Sequence, residues 1–401
     1  MALLGWELKK IWRPGLLLAI VILGVIFYPI RPGFCLEYFE GSWEAPFALS
    51  VDWLERYGTT MEPEERQELD GQLEQLKAEF AQQLSEIPGA ADAGITDYES
   101  FLAWDTDYLD RLGSGEDTTE EEANLSRAMD RGTNPDAIQA LQEFMDIYDH
   151  LAAGGSAADY IDDVEGDTPI KRAKRQRTAE MQAEGIYGLL PSAVIDSTDE
   201  FFHYFSIWCV FSVVLLLSPT LVRDRLRRTR AMQWTSRRGR KVLNVQMGAT
   251  LLSGVLLTLI NYAVYLGPFL STGALQFWDC PLVTVWLTSN PWFDWTYGQY
   301  VLVLLGLTLV LALAASGFTV VLSQFSSSYV AMLLKGIPLI FVLCWGLVPW
   351  LVKGAGRFSN RAVQLIGAPG TEFACGALAT VLAVGLCIWT CARQRRRDLT
   401  G

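Results

Sequence analysis

Apolar residues in this chain follow two distinct rhythms. The first is unbroken: six long runs, Pro14–Ile30, Tyr204–Val222, Val242–Leu266, Tyr300–Leu322, Tyr329–Val352 and Phe373–Trp389, contain almost no charge. A helix of about 20 mostly apolar residues crosses the roughly 30 Å hydrocarbon core of a bilayer, so each run reads as a membrane span. The first run is short, with Trp12 and Tyr28 placed for the two interfaces, and the fifth carries Lys335 near its start, where a long side chain can snorkel to the headgroups. The second rhythm is periodic. Leu69, Leu73, Leu76, Phe80, Leu84 and Ile87 recur at steps of three and four, which predicts an amphipathic helix from Pro63 to Ile87 with a seam suited to a helical hairpin. Asn134-Pro135 reads as an N-cap followed by proline at the first helical position, and Ile138, Leu141, Phe144, Met145, Tyr148 and Leu151 then share one face. Thr168-Pro169 gives the same start signal for a helix running towards Leu190, and breaks are expected at Pro88-Gly89, Gly113–Gly115 and Gly154-Gly155.

The predicted fold class is therefore all-α: a polytopic membrane bundle of six transmembrane helices with a helical domain inserted between the first and second. Residues 1–13 precede the first span (14–30), residues 31–200 form the insertion, and residues 201–401 hold spans at 204–222, 242–266, 300–322, 329–352 and 373–389.

Charge adds an orientation. Residues 37–200 hold 39 of the 45 acidic residues and only 11 of the 32 basic ones, a net of −28, while the remainder nets +15. Positive residues stay on the cytoplasmic side of short membrane loops, and long loops translocate largely regardless of charge. Lys9, Lys10 and Arg13, the arginine-rich segment 223–241, and Arg393, Arg395, Arg396 and Arg397 all fall on one side of a six-span bundle. That side is predicted to be cytoplasmic, with both termini, in a cell membrane; residues 31–200 are then extracytoplasmic. Lys353, Arg357 and Arg361 face the other way, three charges against sixteen.

The amino-terminal run resembles a secretory signal but ends Tyr28-Pro29-Ile30-Arg31-Pro32 without a small-residue cleavage site, as expected of a retained anchor. Ahead of it, Leu3, Leu4, Leu8, Ile11 and Trp12 alternate with Glu7, Lys9, Lys10 and Arg13. Two readings stand: a short amphipathic helix along the inner membrane surface, or a plain extension of the first span.

Catalytic signatures are missing from the sequence. His150 and His203 have no Cys or His neighbour at zinc spacing, the Glu pairs at 64–65 and 121–122 lie outside the spans, and Gly-Ala-Pro-Gly at 367–370 lacks the lysine of a phosphate loop. Asp105–Asp110 lacks the turn glycine and closing glutamate of a calcium loop. No enzymatic activity, cofactor, metal or nucleic-acid partner is expected. Of the seven cysteines, Cys35, Cys280 and Cys375 are placed near the outer surface, and an odd number there leaves no unique pairing. The acidic insertion reads as a solvated surface, with binding of a cationic peptide or metal as the alternative. Its basic cluster, Lys171, Arg172, Lys174, Arg175 and Arg177, faces solvent, pairs with acidic helices or rests on anionic lipid headgroups.

Mid-span polar atoms come from Ser253, Thr258, Asn261, Thr308, Ser316 and Thr319, with Gly248, Gly254, Ala312, Ala315 and Gly317 permitting close helix approach. The spans lack mid-depth carboxylates and bases, which argues that any transport energy arrives from elsewhere. The aromatic segment Pro268–Gln299 is expected to lie in the headgroups or dip back into the membrane.

The segment from Arg223 to Lys241 carries the strongest functional signal. It sets Leu226, Ala231, Met232 and Trp234 among nine basic residues and ends Thr235-Ser236-Arg237-Arg238-Gly239-Arg240-Lys241. This arrangement resembles the inner loop of permease subunits of the type 2 ABC transporter family, which runs from an acidic residue through a short helix to a Thr-Ser-x-x-Gly-Arg-like turn; Asp224 stands where the family usually has Glu. The opening Trp6-Glu7-Leu8-Lys9-Lys10-Ile11 is similar to the family's amphipathic start, and one span, a large insertion and five further spans is an architecture found in its bacterial members. The resemblance covers about 230 residues of the membrane part and none of the insertion. It implies an exporter in which residues 223–241, through Asp224, Leu226, Met232, Trp234, Thr235, Ser236, Gly239 and Arg240, dock on a separate ATPase subunit. It also implies a second permease chain, identical or a sister subunit, with membrane lipids as the remaining partner. A non-transporting sensor or scaffold, whose outer domain binds a peptide or protein, is the alternative from a different class.

Overall fold

The computed structural model describes residues 2–41, 44–155, 168–185, 187–226, 242–286, 291–326 and 328–396. Every regular element among them is helical, and the only β pairing is a set of isolated bridges. Five helices are long and apolar enough to cross a membrane, and six if the bent pair at the amino terminus counts as one span, so the chain is an all-α polytopic bundle.

Helix α1 (Ala2–Ile11) and helix α2 (Pro14–Ile30) meet at a bend of 48°. Pro14 occupies the first helical position of α2, where its missing N–H costs nothing, and the break falls just before it. The turn rules out a straight extension of the span. Ile11 is buried, and the Trp12 indole donates to Ser253 Oγ at 3.1 Å. Helix α3 (Pro32–Glu37) turns the chain into the insertion.

The insertion contains α4 (Ala45–Tyr57), α5 (Pro63–Ser85), α6 (Tyr98–Ser114), α7 (Glu120–Gly132), α8 (Pro135–Ala152) and α9 (Pro169–Ala183). The expected seam on α5 is only partly buried: Leu69, Phe80 and Leu84 are enclosed, whereas Leu73 and Leu76 bridge two apolar clusters from half-buried positions. The face predicted on α8 packs as expected from Ile138 to Tyr148. Three details differ. Asn134 flanks α8 without its side chain capping the helix; α6 runs through Gly113 to end on left-handed Gly115; and α9 stops at Ala183, short of Leu190.

The remaining spans are α10 (Ser192–Leu226), α11 (Val242–Leu270), α12 (Tyr297–Gln324) and α13 (Tyr329–Phe341), which continues through a π-turn at Val342–Leu347 into α14 (Val348–Leu351). After the short α15 (Arg361–Ile366), α16 (Thr371–Arg396) closes the bundle. Polar side chains join the spans where the sequence placed them. Ser206 and Thr308 share a hydrogen bond of 2.6 Å, and Asn261 Nδ2 donates to Ser212 Oγ at 3.1 Å. The small residues also act as expected, with one exception. A Cβ on Gly254 would meet Ser316 Oγ at 2.0 Å and one on Gly317 would meet the Ala383 backbone at 2.9 Å, whereas Gly248 borders open space.

A layer of loops joins the insertion to one end of the bundle. Met61 N donates to Tyr187 O at 3.0 Å, Leu189 N to Thr59 O at 3.2 Å, Val285 N to Gly188 O at 3.0 Å and Trp292 N to Gly356 O at 2.7 Å. Gly188 is required by closeness, since a Cβ there would sit 2.2 Å from Val283 O. The aromatic segment after α11 belongs to this layer. Trp286 lies 5.2 Å from Phe144 and stacks 6.3 Å from Trp53, while Trp292 packs 4.4 Å from Phe358. These two indoles are buried in protein, so for them the expectation of a headgroup-embedded loop is corrected. The cause is a set of apolar partners on α4, α8 and the loop after α14, more than 60 residues away in sequence.

Candidate functional site

The second span begins twelve residues before its expected start, and this shift builds the most chemically loaded site among the described residues. Hydropathy ends the span at Tyr204 because Asp196, Asp199 and Glu200 interrupt the apolar run. The helix nonetheless starts at Ser192 and carries all three into the loop-rich end of the bundle. A 35-residue helix is about 52 Å long, well beyond a roughly 30 Å core, so it extends past any hydrocarbon layer that it crosses.

Their partners lie on the connection between α14 and α15. Arg357 Nη1 donates to Asp199 Oδ2 at 2.7 Å, and the Tyr300 hydroxyl donates to Asp199 Oδ1, so both carboxylate oxygens are engaged. Arg357 also lies 3.5 Å from Asp196, and Lys353 pairs with Glu200. Asp199 and Arg357 are 4% and 3% exposed, a degree of burial that charged side chains reach only when paired. Burial opposes the charge on Arg357, but Asp199, with Tyr300 and Asp196, outweighs it and holds the guanidinium above its ordinary pKa.

The loop bearing these bases is fixed from several sides. Gly356 adopts φ +70° beneath the Trp295 ring, where a Cβ would lie 2.3 Å from the indole. Its N–H donates to Glu372 Oε1 at 2.8 Å. Asn360 then caps α15, accepting from Ala362 N and Val363 N. Arg357 is thus delivered to Asp199 by a backbone with little freedom.

Between these elements lies a cleft of about 290 Å³. Asp199 and Arg357 line it together with Asp196, Lys353 and Arg361; Pro349 and Ser359 complete it. The three bases that contradicted the charge rule are therefore gathered in one place, two of them paired with acids of α10. Burying an ion pair is costly, often several kcal/mol per ion before the mutual attraction is counted. A buried pair lining a cleft, rather than sealed in packed core, is a candidate binding site.

The basic helix α9 reaches the same end of the molecule. Met181, Ile170 and Ala173 pack with Trp292, Phe358 and Val363, Lys174 Nζ sits 5.7 Å from the Phe358 ring centre, and Arg177 pairs with Asp294 and Glu180. Lys171 is buried. Cys35 and Cys280 are thiols, pushed up to about 11 and about 12 by burial, and all seven cysteines are unbridged. Among the described residues no group of His, Cys, Asp and Glu could hold a metal.

Of the site residues expected from sequence, Asp224 and Leu226 fall in the last turn of α10, at the opposite end of the helix from Asp199. Met232, Trp234, Thr235, Ser236, Gly239 and Arg240 lie outside the described residues. Sequence reasoning missed the Asp199–Arg357–Tyr300 cluster. The available signal was the coincidence of two anomalies, three acids at the head of one span and three bases after another.

No family model matches the chain, and neither characterised proteins nor solved structures give a match.

Proposed function

We propose that the chain is the membrane-spanning permease subunit of an ATP-driven transporter of the type 2 ABC class, working as an exporter. The observation that carries this reading is the order and geometry of its elements. A short amphipathic helix turns 48° into the first span, a helical insertion follows, and five further spans close the bundle. In this reading the arginine-rich segment between α10 and α11 faces the cytoplasm with both termini, and residues 31–200 lie outside the cell membrane. ATP hydrolysis belongs to a separate subunit that docks on residues 223–241. A second permease chain, identical or a sister, completes the path. Helix α10 gives the reading a mechanical element, because it spans the bundle from Asp224 in the docking segment to Asp199 in the charged cleft, 25 residues and about 38 Å away. Pro219 interrupts the hydrogen-bond ladder between the two ends, so a displacement imposed at Asp224 reaches Asp199 through a helix with one built-in bend point.

Purification of the full chain from its native membrane tests the assignment. A stoichiometric partner bearing a phosphate-binding ATPase loop is the expected companion, and Met232→Ala with Trp234→Ala is expected to abolish its co-purification while membrane insertion persists. Recovery of the chain alone, or with proteins bound only to the insertion, would instead favour the sensor or scaffold.

A further inference from the structure

The charged cleft adjoins an apolar track. Pro349 lines the cleft, and one turn below it Trp345 is 63% exposed, followed down the same span by Val342 at 57%. On the other flank, Arg361 is followed one turn later by Leu365 at 69%. Acyl chains of the bulk bilayer account for an exposed apolar span, and the windows of the fifth and sixth spans are only 24% and 22% buried. They do not account for an ionic cleft of both signs set where that apolar face ends. The π-turn at Val342–Leu347 adds a second observation. Such turns are rare, often occur at functional sites, and this one sits on the stretch that presents Trp345.

We propose that the cleft holds the headgroup of a phospholipid carrying a phosphate and a primary ammonium, its chains lying along the Val342–Trp345 face. The Asp199–Arg357 pair stays closed as the floor, since opening it would strand a buried charge. Recognition falls to the rim. Arg361 and Lys353 donate to the phosphate oxygens, and Asp196 accepts from the ammonium. A primary ammonium has N–H donors for that carboxylate. A quaternary ammonium has none and is favoured by aromatic cages, whereas the described side chains lining this cleft are not aromatic. A headgroup with only a phosphate would bring negative charge beside Asp196, whose cation, Arg357 at 3.5 Å, is shared with Asp199. The site is thus selective for an ethanolamine-type lipid over choline and glycerol lipids, whatever the chain transports.

Native mass spectrometry of the full chain in detergent tests this, with dioleoyl phosphatidylethanolamine, phosphatidylcholine and phosphatidylglycerol as separate additions and glycerophosphoethanolamine as the headgroup alone. The ethanolamine lipid is expected to bind about tenfold more tightly than either of the others. Arg361→Gln and Asp196→Asn, both at exposed rim positions, should each reduce that preference about fivefold. Arg66→Gln in the insertion should leave it unchanged. Equal retention of the three lipids, or a preference that survives both rim substitutions, overturns the proposal. Tighter binding of the glycerol lipid would make the cleft an anion site, and tight binding of the free headgroup would make it a site for a soluble zwitterion; either result overturns it as well.

Discussion

The insertion and the loop-rich end of the bundle use the same chemistry, carboxylates paired with bases, to opposite effect. In the insertion the pairs sit at the surface. Arg66 reaches Asp149 and Asp70, Lys77 reaches Glu99 at 2.6 Å, and Arg111 joins Asp107 and Glu122 at 2.9 Å each, with most of the acids open to solvent. Such pairs contribute little, typically 0 to about 1 kcal/mol, because water competes for both partners. The insertion's stability rests on its apolar clusters, around Trp53 and Phe144 in one and Phe80 and Phe101 in the other. At the end of the bundle, Asp199 and Arg357 face each other out of water. Their mutual attraction adds little net stability, but losing one partner is severe. Surface charge therefore leaves the insertion's fold to its apolar clusters, whereas buried charge fixes which segments must meet.

Arg357→Met sharpens this contrast most. It leaves Asp199 buried with the Tyr300 hydroxyl and the Gly354 backbone but no cation, and a stranded buried charge costs about 3–5 kcal/mol. Thermal unfolding of the full chain in detergent should show a large drop. Asp199→Asn with Arg357→Met should recover most of it, because the amide oxygen still accepts from Tyr300 and no net charge remains buried. Failure of the double variant to recover would mean that the pair is itself a net source of stability, and the contrast would collapse. Trp286→Ala comes next, at about 3 kcal/mol for loss of a large buried side chain, together with its indole bond to Ser50 at 3.2 Å. Because Trp286 packs on α4 and α8, the loss should appear as earlier proteolysis of the insertion. Arg56→Gln, by comparison, which breaks the exposed pair with Asp52, should move the unfolding midpoint by no more than about 0.5 kcal/mol equivalent.

The two regions also differed in how far their sequences disclosed them. Apolar runs and proline-led starts located the spans and three of the six insertion helices, α5, α8 and α9, because hydropathy and 3.6-residue periodicity are local signals. Leu141, Phe144 and Tyr148 could be placed on one buried face of α8 for that reason. The cleft was opaque because its logic is long-range. Asp199 looks like the end of a span until Arg357, 158 positions on, is brought beside it. Likewise Trp286 and Trp292 carry a composition that favours membrane interfaces, and only packing against Trp53, Phe144 and Phe358 reveals them as core. The docking segment 223–241 shows the reverse: it was the clearest motif in the sequence, and residues 227–241 of it lie outside the described residues.

The smallest expected effect tests the surface half of the contrast by pH. Arg111 hydrogen-bonds Glu122, whose other partners are the N–H and hydroxyl of Thr119, in a capping box that starts α7. These interactions, with Arg111 first, lower Glu122 to about 2 from an ordinary value near 4.5. A carboxylate depressed in the folded state binds its proton more readily when unfolded. Its stabilising contribution is therefore complete above about pH 4.5 and is lost as the pH falls towards 2. Glu122→Gln should flatten this part of the acid limb, measured by hydrogen exchange of α7 between those pH values, and its loss at neutral pH should equal the amplitude that the native chain loses on acidification, both small for a surface pair. A large loss at neutral pH would show that this surface pair acts like the buried one, and that exposure does not distinguish the two regions. An unchanged acid limb would instead place the helix's acid sensitivity on Glu120 and Glu121, the neighbouring carboxylates of its first turn.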